Sequence, residues 1–596
     1  MRNKFCVPCT TGTYADTLTT LGLAKLLTAL GGTEIRIQRS LNSAYYQVSS
    51  ETPIPDATQT PFQHLFPRIL TNGEPSTSAA DIDYEYEKAK RNKYFKWKNE
   101  NRTVKPEMLG EGEAPEAPRR DYTLISSLVD MLKPIAGSSY IKTAEALARG
   151  SFGRYVEAAL EGFASLDGDP VRIEARLKQS FGKQKGELRT SVVQIFNPMA
   201  GKGMNASKPN SIGMGGLESP IPIEMLKFSG WWSGAVAATP RKPKAATPRK
   251  PKDLKVLVIA PQDINYGMLE SVMSAFREAF YGGGAVQIDV LASLGLTEVL
   301  LRNHEAVPSR RGRPRHVIAG FNSAYFKNLG NAKGVSNISF IGLPDWVEVR
   351  DDSDRQLWLE VLREHKSILS RLDESRSEAH SLLEQYRDFL SLGLLEHFLE
   401  FLVDYGAYAL AVADRNEPIQ WFTTNLLRRV FMGLDNDTGS LSEILGNPGF
   451  QNIARAIRLS TRGALYARKP PVIEGQPPKQ PDRTYEVRYG LAQELKRKAV
   501  YKSEFAAALA GFISEYMTEN LRVADRTSPE RPLPQRPAVT TTDLEQVIAL
   551  MDKHDPETVA MLLIAYGYAK EPRDADEPLT DDLPQDENMI EGDDDQ

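Results

Sequence analysis

The chain has 596 residues, of which 41% are hydrophobic and 25% charged, a composition typical of globular proteins with a few domains. Its lack of an 18-residue apolar run argues against a transmembrane helix, and its two cysteines argue against a disulfide framework. The start, MRNKFCVPCTTG, has neither the apolar core of a signal peptide nor the Arg/Ser-rich character of a transit peptide. We therefore expect a cytoplasmic protein without a membrane partner.

The chain has a net charge of −5, and its excess of negative charge comes from the C-terminal segment. The last 26 residues, 571–596, carry twelve Asp or Glu and one Arg, so the preceding chain has a net charge of +6. The acidity and prolines of this segment predict a disordered tail. Such a tail keeps a protein in solution, and it can also compete with nucleic acid for basic surfaces.

The first elements follow from local patterns. Apolar residues at helical spacing predict a helix over Leu18–Leu30, and the alternating runs EIRIQRS and AYYQVSS predict a β-hairpin. The segment Asp83–Arg102 then interleaves five aromatic residues with seven Lys or Arg. We interpret it as an amphipathic helix whose rings pack on the core, with stacking of the rings on bases as the alternative.

A glycine-rich, cationic segment, FNPMAGKGMNASKPNSIGMGG, spans Phe196–Gly216. Its glycines permit close backbone approach, its lysines can pair with phosphates, and its side-chain amides can read base edges. The form G-K-G lacks the remaining residues of a P-loop, so a nucleotide cofactor is not expected. The segment is either a nucleic-acid contact or a mobile connector. The residues assigned to such a contact are Asn197, Gly201, Lys202, Gly203, Asn205, Lys208 and Asn210.

The octapeptide AATPRKPK occurs twice in tandem over residues 237–252. Its four prolines forbid a helix, so we expect an extended linker between two folded blocks. The linker is either a solvated spacer or a strip that follows phosphates. Its cations are Arg241, Lys242, Lys244, Arg249, Lys250 and Lys252.

Beyond the linker, LKVLVIA, the segment 268–281 and AVQIDVLA predict a strand, a helix and a strand. This β-α-β pattern lacks the glycine signature of a dinucleotide site. The following loop, PSRRGRPRH, resembles the Arg-Gly-Arg-Pro core that AT-hooks place in narrow minor grooves. The alternative is a positively charged loop that touches phosphate, RNA or only water. Its arginines are Arg310, Arg311, Arg313 and Arg315.

From Asp351 to about Ala569, long charged amphipathic stretches predict a helical bundle. Within it, Arg455, Arg458 and Arg462 have the spacing of one helical face, and further cations recur nearby, which favours a track for single-strand phosphates. The other cations assigned to this track are Arg428, Arg429, Lys496, Arg497 and Lys498.

The last two helices have recognisable starts. Thr542 and Glu545 match a capping box, and Asp555 before Pro556 matches an N-cap followed by a first-turn proline.

Signatures of catalysis are weak. Cys6 and Cys9 form a CxxC whose surroundings read as loop, and a zinc site would have to recruit scattered histidines. His554-Asp555 is the only His-Asp pair. We predict no catalytic residue, no metal and no cofactor.

Four stretches resemble the large subunit of a type I CRISPR Cascade surveillance complex: VPCTTGTYADTLTTLGLAKLL, DYEYEKAKRNKYFKWK, FNPMAGKGMNASKP, and YEVRYGLAQELKRKA through FISEYMTENLRV. The resemblance implies an α/β N-terminal body, a helical bundle and therefore an α+β fold. It also implies that the loop Asn197–Asn210 reads a protospacer-adjacent motif and that the bundle lines the displaced strand of an R-loop. The tandem linker and the AT-hook-like loop are not features of that family.

The resemblance further implies the partners of the chain. They are a CRISPR guide RNA, target double-stranded DNA, the backbone and small subunits of Cascade, and a helicase-nuclease or transposition proteins. Because small subunits can arise by internal translation, a start at Met432, before the polar stretch DNDTGS, is a further hypothesis. The alternative is that Met432 is an apolar residue in one continuous bundle.

Two other functions remain open at this point. One is a DNA-architectural protein that works through the basic repeat and the AT-hook-like loop, and the other is a nuclease with an unrecognised carboxylate site. The expected organisation is an α/β domain over 1–236, the linker 237–252, a second α/β segment over 253–350, the bundle 351–570 and the tail 571–596.

Overall fold

A computed structural model of the chain shows two compact units, which meet in sequence between Leu343 and Pro344. The first unit mixes helices and sheets and the second is helical, so the expected α+β architecture is confirmed. The structure describes residues 2–55, 69–70, 76, 81–101, 115–132, 152–164, 189–200, 218–241, 253–280, 282–308, 312–329, 333–435, 439–469, 480–528 and 533–572.

The α/β unit contains two four-stranded sheets, two small strand pairs and the helices around them. Its described strands are β1 (Arg2–Pro8), β2 (Arg36–Arg39), β3 (Tyr45–Ile54), β4 (Ile69–Leu70), β5 (Ile82–Asp83), β6 (Arg189–Ser191), β7 (Glu218–Pro220), β8 (Ala235–Ala238), β9 (Leu254–Pro261), β10 (Asp263–Asn265), β11 (Ile318–Asn328) and β12 (Lys333–Gly342). Its described helices are α1 (Tyr14–Ala29), α2 (Tyr84–Glu100), α3 (Tyr122–Leu132), α4 (Phe152–Phe163), α5 (Ile221–Gly234), α6 (Tyr266–Ala279), α7 (Ala285–Arg302) and α8 (Pro314–Val317).

The first sheet is antiparallel and has the order β1-β3-β2-β10. The predicted hairpin is confirmed as β2 and β3, with Ile37 opposite Val48. Val48 also lies opposite Phe5 of β1, so one buried row crosses three strands. Ile264 of β10 continues that row beside Ile37, which brings a strand from beyond the linker into the N-terminal sheet.

The second sheet has the order β12-β11-β9-β8, and all its neighbours are antiparallel. β8 ends just before most of the basic repeat and β9 begins just after it, with Ala238 opposite Lys255. The repeat therefore connects two neighbouring strands of one sheet. The expected division into separate α/β blocks at residues 237–252 is wrong, because strand pairing joins both sides of the repeat into one unit.

Helices α1 and α5 cross at a very short distance. A Cβ atom added to Gly22 would overlap the carbonyl oxygen of Leu226, and one added to Gly230 would overlap that of Leu18. Only glycine leaves space for two backbones this close. The predicted first helix is confirmed, although it begins at Tyr14, where the Thr13 side chain caps it by accepting from Ala15 N–H.

The segment AVQIDVLA, predicted as a strand, forms the first half of helix α7. Every residue over 286–297 is buried, including Gln287 and Asp289, so this part of the helix has no polar face to give a helical period. Asp289 is matched inside the unit by Lys255 of β9, whose Nζ lies 2.7 Å from its Oδ2. The predicted β-α-β pattern is therefore wrong, whereas its strand β9 and its helix α6 are confirmed.

Helix α2 confirms the amphipathic reading of the aromatic and cationic segment. Tyr84 and Phe95 are buried, and the Arg91 guanidinium lies 5.1 Å from the ring centroids of both Phe95 and Tyr122. Tyr86, by contrast, is 59% exposed. Of the five aromatic residues, Tyr84 and Phe95 therefore pack in the core, and Tyr86 lies at the surface.

The helical unit is built around α11, whose aromatic residues stack on those of its neighbours. Phe398 lies 4.5 Å from Phe389, measured between ring centroids, and Phe401 lies 5.0 Å from Tyr386. Each buried aromatic side chain of this kind contributes about 2 to 3 kcal/mol. The described helices of the unit are α9 (Asp352–Ser370), α10 (Ser377–Leu392), α11 (Leu395–Asp414), α12 (Thr424–Leu434), α13 (Ser440–Gly446), α14 (Pro448–Arg458), α15 (Ala464–Arg468), α16 (Leu491–Lys498), α17 (Lys502–Arg526), α18 (Thr541–Lys553) and α19 (Pro556–Tyr568).

Two sequence predictions in this unit need correction. The capping box of α18 uses Thr540 and Asp543, two residues earlier than predicted, because the run of three threonines offers several equivalent starts. Helix α12 continues to Leu434, so Met432 lies inside its last turn and no boundary precedes it. The predicted start of α19 is confirmed, since Asp555 accepts from Thr558 N–H at 2.8 Å.

None of the helices in the described part of the chain is long and apolar enough to cross a lipid bilayer.

Candidate nucleic-acid interface

The glycine-lysine segment belongs to an excursion of the α/β unit that a short strand pair closes. β6 and β7 are antiparallel, with Ser191 opposite Glu218, so residues 192–217 leave and return at the same place. Its first part, residues 192–200, is described and forms the base of the excursion. The remaining predicted contacts lie outside the described residues; they are Gly201, Lys202, Gly203, Asn205, Lys208 and Asn210.

The base of the excursion is fixed to two helices. The Phe196 ring lies 5.9 Å from Phe228 and 5.8 Å from Trp231 of α5, measured between centroids. The Tyr14 hydroxyl at the start of α1 donates to the Ile195 carbonyl oxygen at 2.8 Å. The glycine-lysine segment therefore starts from a base with a defined position.

Asn197 is buried within this base. Its backbone N–H donates to the Val193 carbonyl oxygen, and its side-chain Oδ1 accepts from Met199 N–H at 3.2 Å, which shapes the 3₁₀ turn Pro198–Ala200. A side chain with no exposed surface cannot contact a base edge without leaving this turn. The assignment of Asn197 as a reading residue is therefore corrected to a positioning residue for the segment that follows.

A buried polar cluster lies beneath the base, and the sequence reading missed it. Lys227 of α5 is fully buried and pairs with Glu224 at 2.6 Å, and Glu224 also accepts from Val193 N–H at 3.4 Å. The signal for it was present, because Glu224 and Lys227 are the two charged residues of an otherwise apolar helix. Their pairing ties α5 to the base of the excursion.

Asp16 of α1 extends this cluster toward the N-terminal loop. Its carboxylate accepts from the Thr11 backbone N–H at 3.0 Å and from the Thr11 hydroxyl at 2.8 Å. Burial raises the pKa of Asp16 to about 7, while these bonds and the positive charge of Lys227 oppose the rise.

The three arginines predicted to share one helical face do not do so. Helix α14 ends at Arg458, and the π-helical turn Leu459–Gly463 that follows changes the helical register. Arg455 is exposed, whereas Arg462 is half-buried with its guanidinium 5.0 Å from the Tyr466 ring centroid. The predicted common face is therefore wrong.

Arg458 itself is a core residue of the helical unit. Its Nε donates to the Ala569 carbonyl oxygen at 2.6 Å, its Nη2 donates to the Tyr566 carbonyl oxygen at 2.9 Å, and its Nη1 pairs with Glu571. Burial lowers its pKa, with Glu571 acting in the opposite direction. Arg458 therefore binds the C-terminal end of α19, and its guanidinium is not available to phosphates.

The remaining cations of the predicted track divide into two groups. Arg429 lies 3.9 Å from the Trp358 ring centroid and pairs with Asp354 at 2.6 Å, while Lys496 and Lys498 pair with acidic side chains. The other group is exposed and forms no ion pair within the described ranges. It consists of Arg428, Arg455 and Arg497.

The auxiliary basic segments are only partly described. In the AT-hook-like loop, Gly312 and Pro314 are buried, and a Cβ atom on Gly312 would overlap the Pro308 carbonyl oxygen. Gly312 and Pro314 are thus packed against the unit, whereas groove binding would need them to be accessible. Arg241, Arg313 and Arg315 are described. Lys242, Lys244, Arg249, Lys250, Lys252, Arg310 and Arg311 are outside the described ranges.

The two cysteines of the CxxC lack the exposure and the lowered pKa of reactive thiols. Cys6 is buried in β1, and burial together with the Asp16 carboxylate raises the pKa of Cys9 to about 12. Over the part of the chain that the structure describes, no three His, Cys, Asp or Glu side chains are grouped as metal ligands would be.

No protein-family model matches this chain, and no curated protein matches it significantly.

Proposed function

We propose that this chain is the non-catalytic large subunit of a CRISPR RNA-guided DNA surveillance complex. In this role its α/β unit reads a short motif in the duplex beside the target, and its helical unit holds the displaced strand while downstream effectors are recruited. The proposal joins the resemblance of four sequence segments to the geometry of the described base of the excursion, residues 192–200.

The observation that carries the proposal is the fixed base of that excursion. Phe196 packs on α5, Tyr14 holds the Ile195 carbonyl, and β6 pairs with β7, so the base has a defined position. The residues that follow it in sequence are rich in glycine, lysine and asparagine. Reading a base edge requires a side chain whose position is set by its surroundings, since each contact must meet a particular donor or acceptor.

The exposed arginines of the helical unit support the second half of the proposal. Arg428, Arg455 and Arg497 lie on three different helices and have no acidic partner among the described residues. Exposed cations without partners bind phosphates without regard to sequence. They fit a role in holding a single strand after the guide has opened the duplex.

Copurification tests membership in a guide RNA complex. The tagged full-length chain, expressed in its native host, should retain a short RNA of uniform length together with backbone subunits. RNase treatment before the purification should reduce the recovery of those subunits. Recovery of the chain alone from such cells, with neither RNA nor backbone subunits, would overturn the proposal.

Motif reading is tested on the assembled complex with target duplexes whose flanking bases are randomised. Asn205→Ala and Asn210→Ala should each change the selected motif, at a cost of roughly 1 to 3 kcal/mol for each lost base contact. Lys202→Gln and Lys208→Gln should weaken binding to all flanks equally. Asn92→Ala, which removes an exposed amide from α2, is the matched control. Identical motif profiles for the wild type and both loop asparagine variants would count against motif reading by this segment.

A further inference from the structure

Helix α2 has an inner side that packs on the α/β unit and an outer side that faces solvent. On the inner side, the Tyr84 ring is stacked on that of Tyr122 in α3, with centroids 6.3 Å apart, and Phe95 is buried. At the start of the helix, Asp83 accepts from Tyr86 N–H at 3.0 Å and forms the N-cap. The orientation of α2 is therefore fixed, and so is the set of residues on its outer side.

The outer side carries two aromatic residues and two lysines. Their positions fall within an arc of about 100° around the helix axis, because successive residues of an α-helix are about 100° apart. We call them the α2 stripe, and they are Tyr86, Lys93, Lys96 and Trp97. From its first to its last residue the stripe rises by about 17 Å along the axis, at about 1.5 Å per residue.

Both aromatic side chains of the stripe have accessible surface. Tyr86 is 59% exposed, although the N-cap holds its backbone. Trp97 is half-buried, and its ring centroid lies 6.2 Å from that of Tyr94 at an interplanar angle of 39°. Tyr94 thus supports the Trp97 ring on one side, and the ring keeps part of its surface in solvent.

The exposed charge between the two aromatic residues is positive. In that stretch of α2, the exposed charged side chains are those of Lys93 and Lys96. Neither of these lysines forms an ion pair within the described ranges, whereas Lys90 is paired with Glu116. Glu100, an exposed acid on the same side, is the last residue of the helix and lies beyond the stripe.

This combination of rings and cations suits a nucleic-acid strand whose bases are unpaired. Such bases stack on exposed aromatic side chains, while neighbouring cations hold the phosphates. A single exposed ring is ordinary on a protein surface, and a solvated helix face has charges of both signs. The α2 stripe differs from such a face because its two rings enclose exposed charges of one sign.

We infer that the α2 stripe binds an unpaired nucleic-acid strand without sequence preference. Tyr86 and Trp97 stack on bases, and the two lysines between them hold phosphates. The inference goes beyond the proposed function, which gives the α/β unit a motif in a duplex and gives single-strand contacts to the helical unit. In a guide RNA complex, an unpaired stretch of the guide and an opened DNA strand both have this chemistry.

Binding of the isolated full-length chain to labelled twelve-nucleotide strands of RNA and of DNA tests the inference, with fluorescence anisotropy as the readout. Tyr86→Ala and Tyr86→Leu should each weaken binding by about 5- to 100-fold, because both remove the flat ring on which a base stacks. Tyr86→Phe keeps the ring and should retain the wild-type affinity. Thermal unfolding of each variant checks that the α/β unit remains folded.

The salt dependence of the same binding tests the lysines. Lys93→Gln combined with Lys96→Gln should make the slope of log K against log salt shallower by about 1.4, since each phosphate contact of a single strand contributes about 0.7. The matched control is Lys4→Gln combined with Lys327→Gln, which removes two exposed lysines of the same unit outside α2. This control should keep the wild-type slope.

The outcomes separate the possible ligands. A loss confined to RNA would identify the guide as the ligand, a loss confined to DNA would identify the opened strand, and an equal loss would show that the stripe accepts either. Wild-type affinity of Tyr86→Leu for both strands would overturn the inference, and so would a lysine variant whose slope equals that of the control. An equal loss for a duplex of the same length would overturn the assignment to an unpaired strand.

The assay needs no guide, so it is independent of the proposed function. Absence of copurifying RNA would leave a strand-binding stripe on α2 intact. Unchanged binding by the α2 variants would leave motif reading by the assembled complex intact.

Discussion

Gly22 of α1 and Gly230 of α5 each receive a backbone carbonyl of the other helix. The Leu226 carbonyl of α5 lies against Gly22, and the Leu18 carbonyl of α1 lies against Gly230. Leu18 is one helical turn before Gly22, and Leu226 is one helical turn before Gly230. This reciprocal crossing places Tyr14, at the start of α1, where it can hold the base of the excursion.

We expect Gly22→Ala to destabilise the α/β unit by about 3 kcal/mol, because a methyl group there overlaps backbone rather than a side chain that can rotate away. Gly295→Ala in α7 is the control, since the added Cβ would lie 3.7 Å from the Phe276 ring, an ordinary contact distance. Because alanine favours a helix over glycine, this variant should stabilise the unit by about 0.5 to 1 kcal/mol. Chemical denaturation followed by circular dichroism measures both. Equal stability of the two variants would show that α1 and α5 separate easily.

Substitution of Arg458 should lower the stability of the helical unit, whereas substitution of Arg455, three residues earlier, should change strand binding. Arg458→Ala leaves the Ala569 and Tyr566 carbonyls without their donor and should cost about 2 to 4 kcal/mol of unfolding free energy. Arg455→Ala should change stability by less than about 0.5 kcal/mol. It should instead make the salt dependence of single-strand binding shallower by about 0.7.

Denaturation and strand binding of both variants check this pair. If Arg458→Ala keeps wild-type stability, the contacts of Arg458 with the end of α19 do not stabilise the helical unit. If Arg455→Ala keeps the wild-type salt slope, the exposed arginine of α14 does not contact a strand.

Glu364 should make the helical unit less stable as pH rises. Burial raises its pKa from 4.5 to about 7, against bonds from Thr423 and the charge of Lys570. The folded state therefore holds this proton more tightly than the unfolded state. Its stabilising contribution is complete below about pH 4.5 and is lost as pH rises to about 7, up to roughly 3 kcal/mol.

Glu364→Gln removes that titration, so the variant should gain stability relative to the wild type between pH 5 and pH 8. Its neighbour His365 has a pKa lowered to about 3 by burial and contributes stability that is lost as pH falls from 6.5. This opposite dependence is common to both proteins and cancels in their difference. Glu360→Gln, an exposed change on the same helix, should show no pH-dependent difference. A constant difference between Glu364→Gln and the wild type across this range would contradict the prediction.

A fragment that starts at Met432 should not fold. It lacks α11, against which α19 packs so closely that a Cβ atom on Gly406 would lie 2.8 Å from the Tyr568 side chain. A longer fragment, 344–596, holds the whole helical unit and should unfold cooperatively. Size-exclusion chromatography and thermal circular dichroism compare the two. A cooperative transition for the fragment 432–596 would restore the hypothesis of a separate small subunit.

The sequence alone determined those elements whose signal is local. The hairpin β2-β3, strand β9, helix α2 and the helical second half follow from alternating or helical periodicity over short windows. Asp555 before Pro556 was sufficient to locate the start of α19, because a cap involves only the next few residues. Segments buried on all sides, such as α7, carry no such period and were assigned incorrectly.

Only the tertiary structure decided which charged and polar residues are available for function. Arg455 and Arg458 are both arginines of helix α14. Arg455 is exposed and Arg458 is buried, because the end of α19, more than 100 residues away in sequence, lies over Arg458. Asn197 likewise became a turn residue through its burial. Burial and pairing between distant segments depend on the whole fold, because they arise from contacts that no local window of sequence contains.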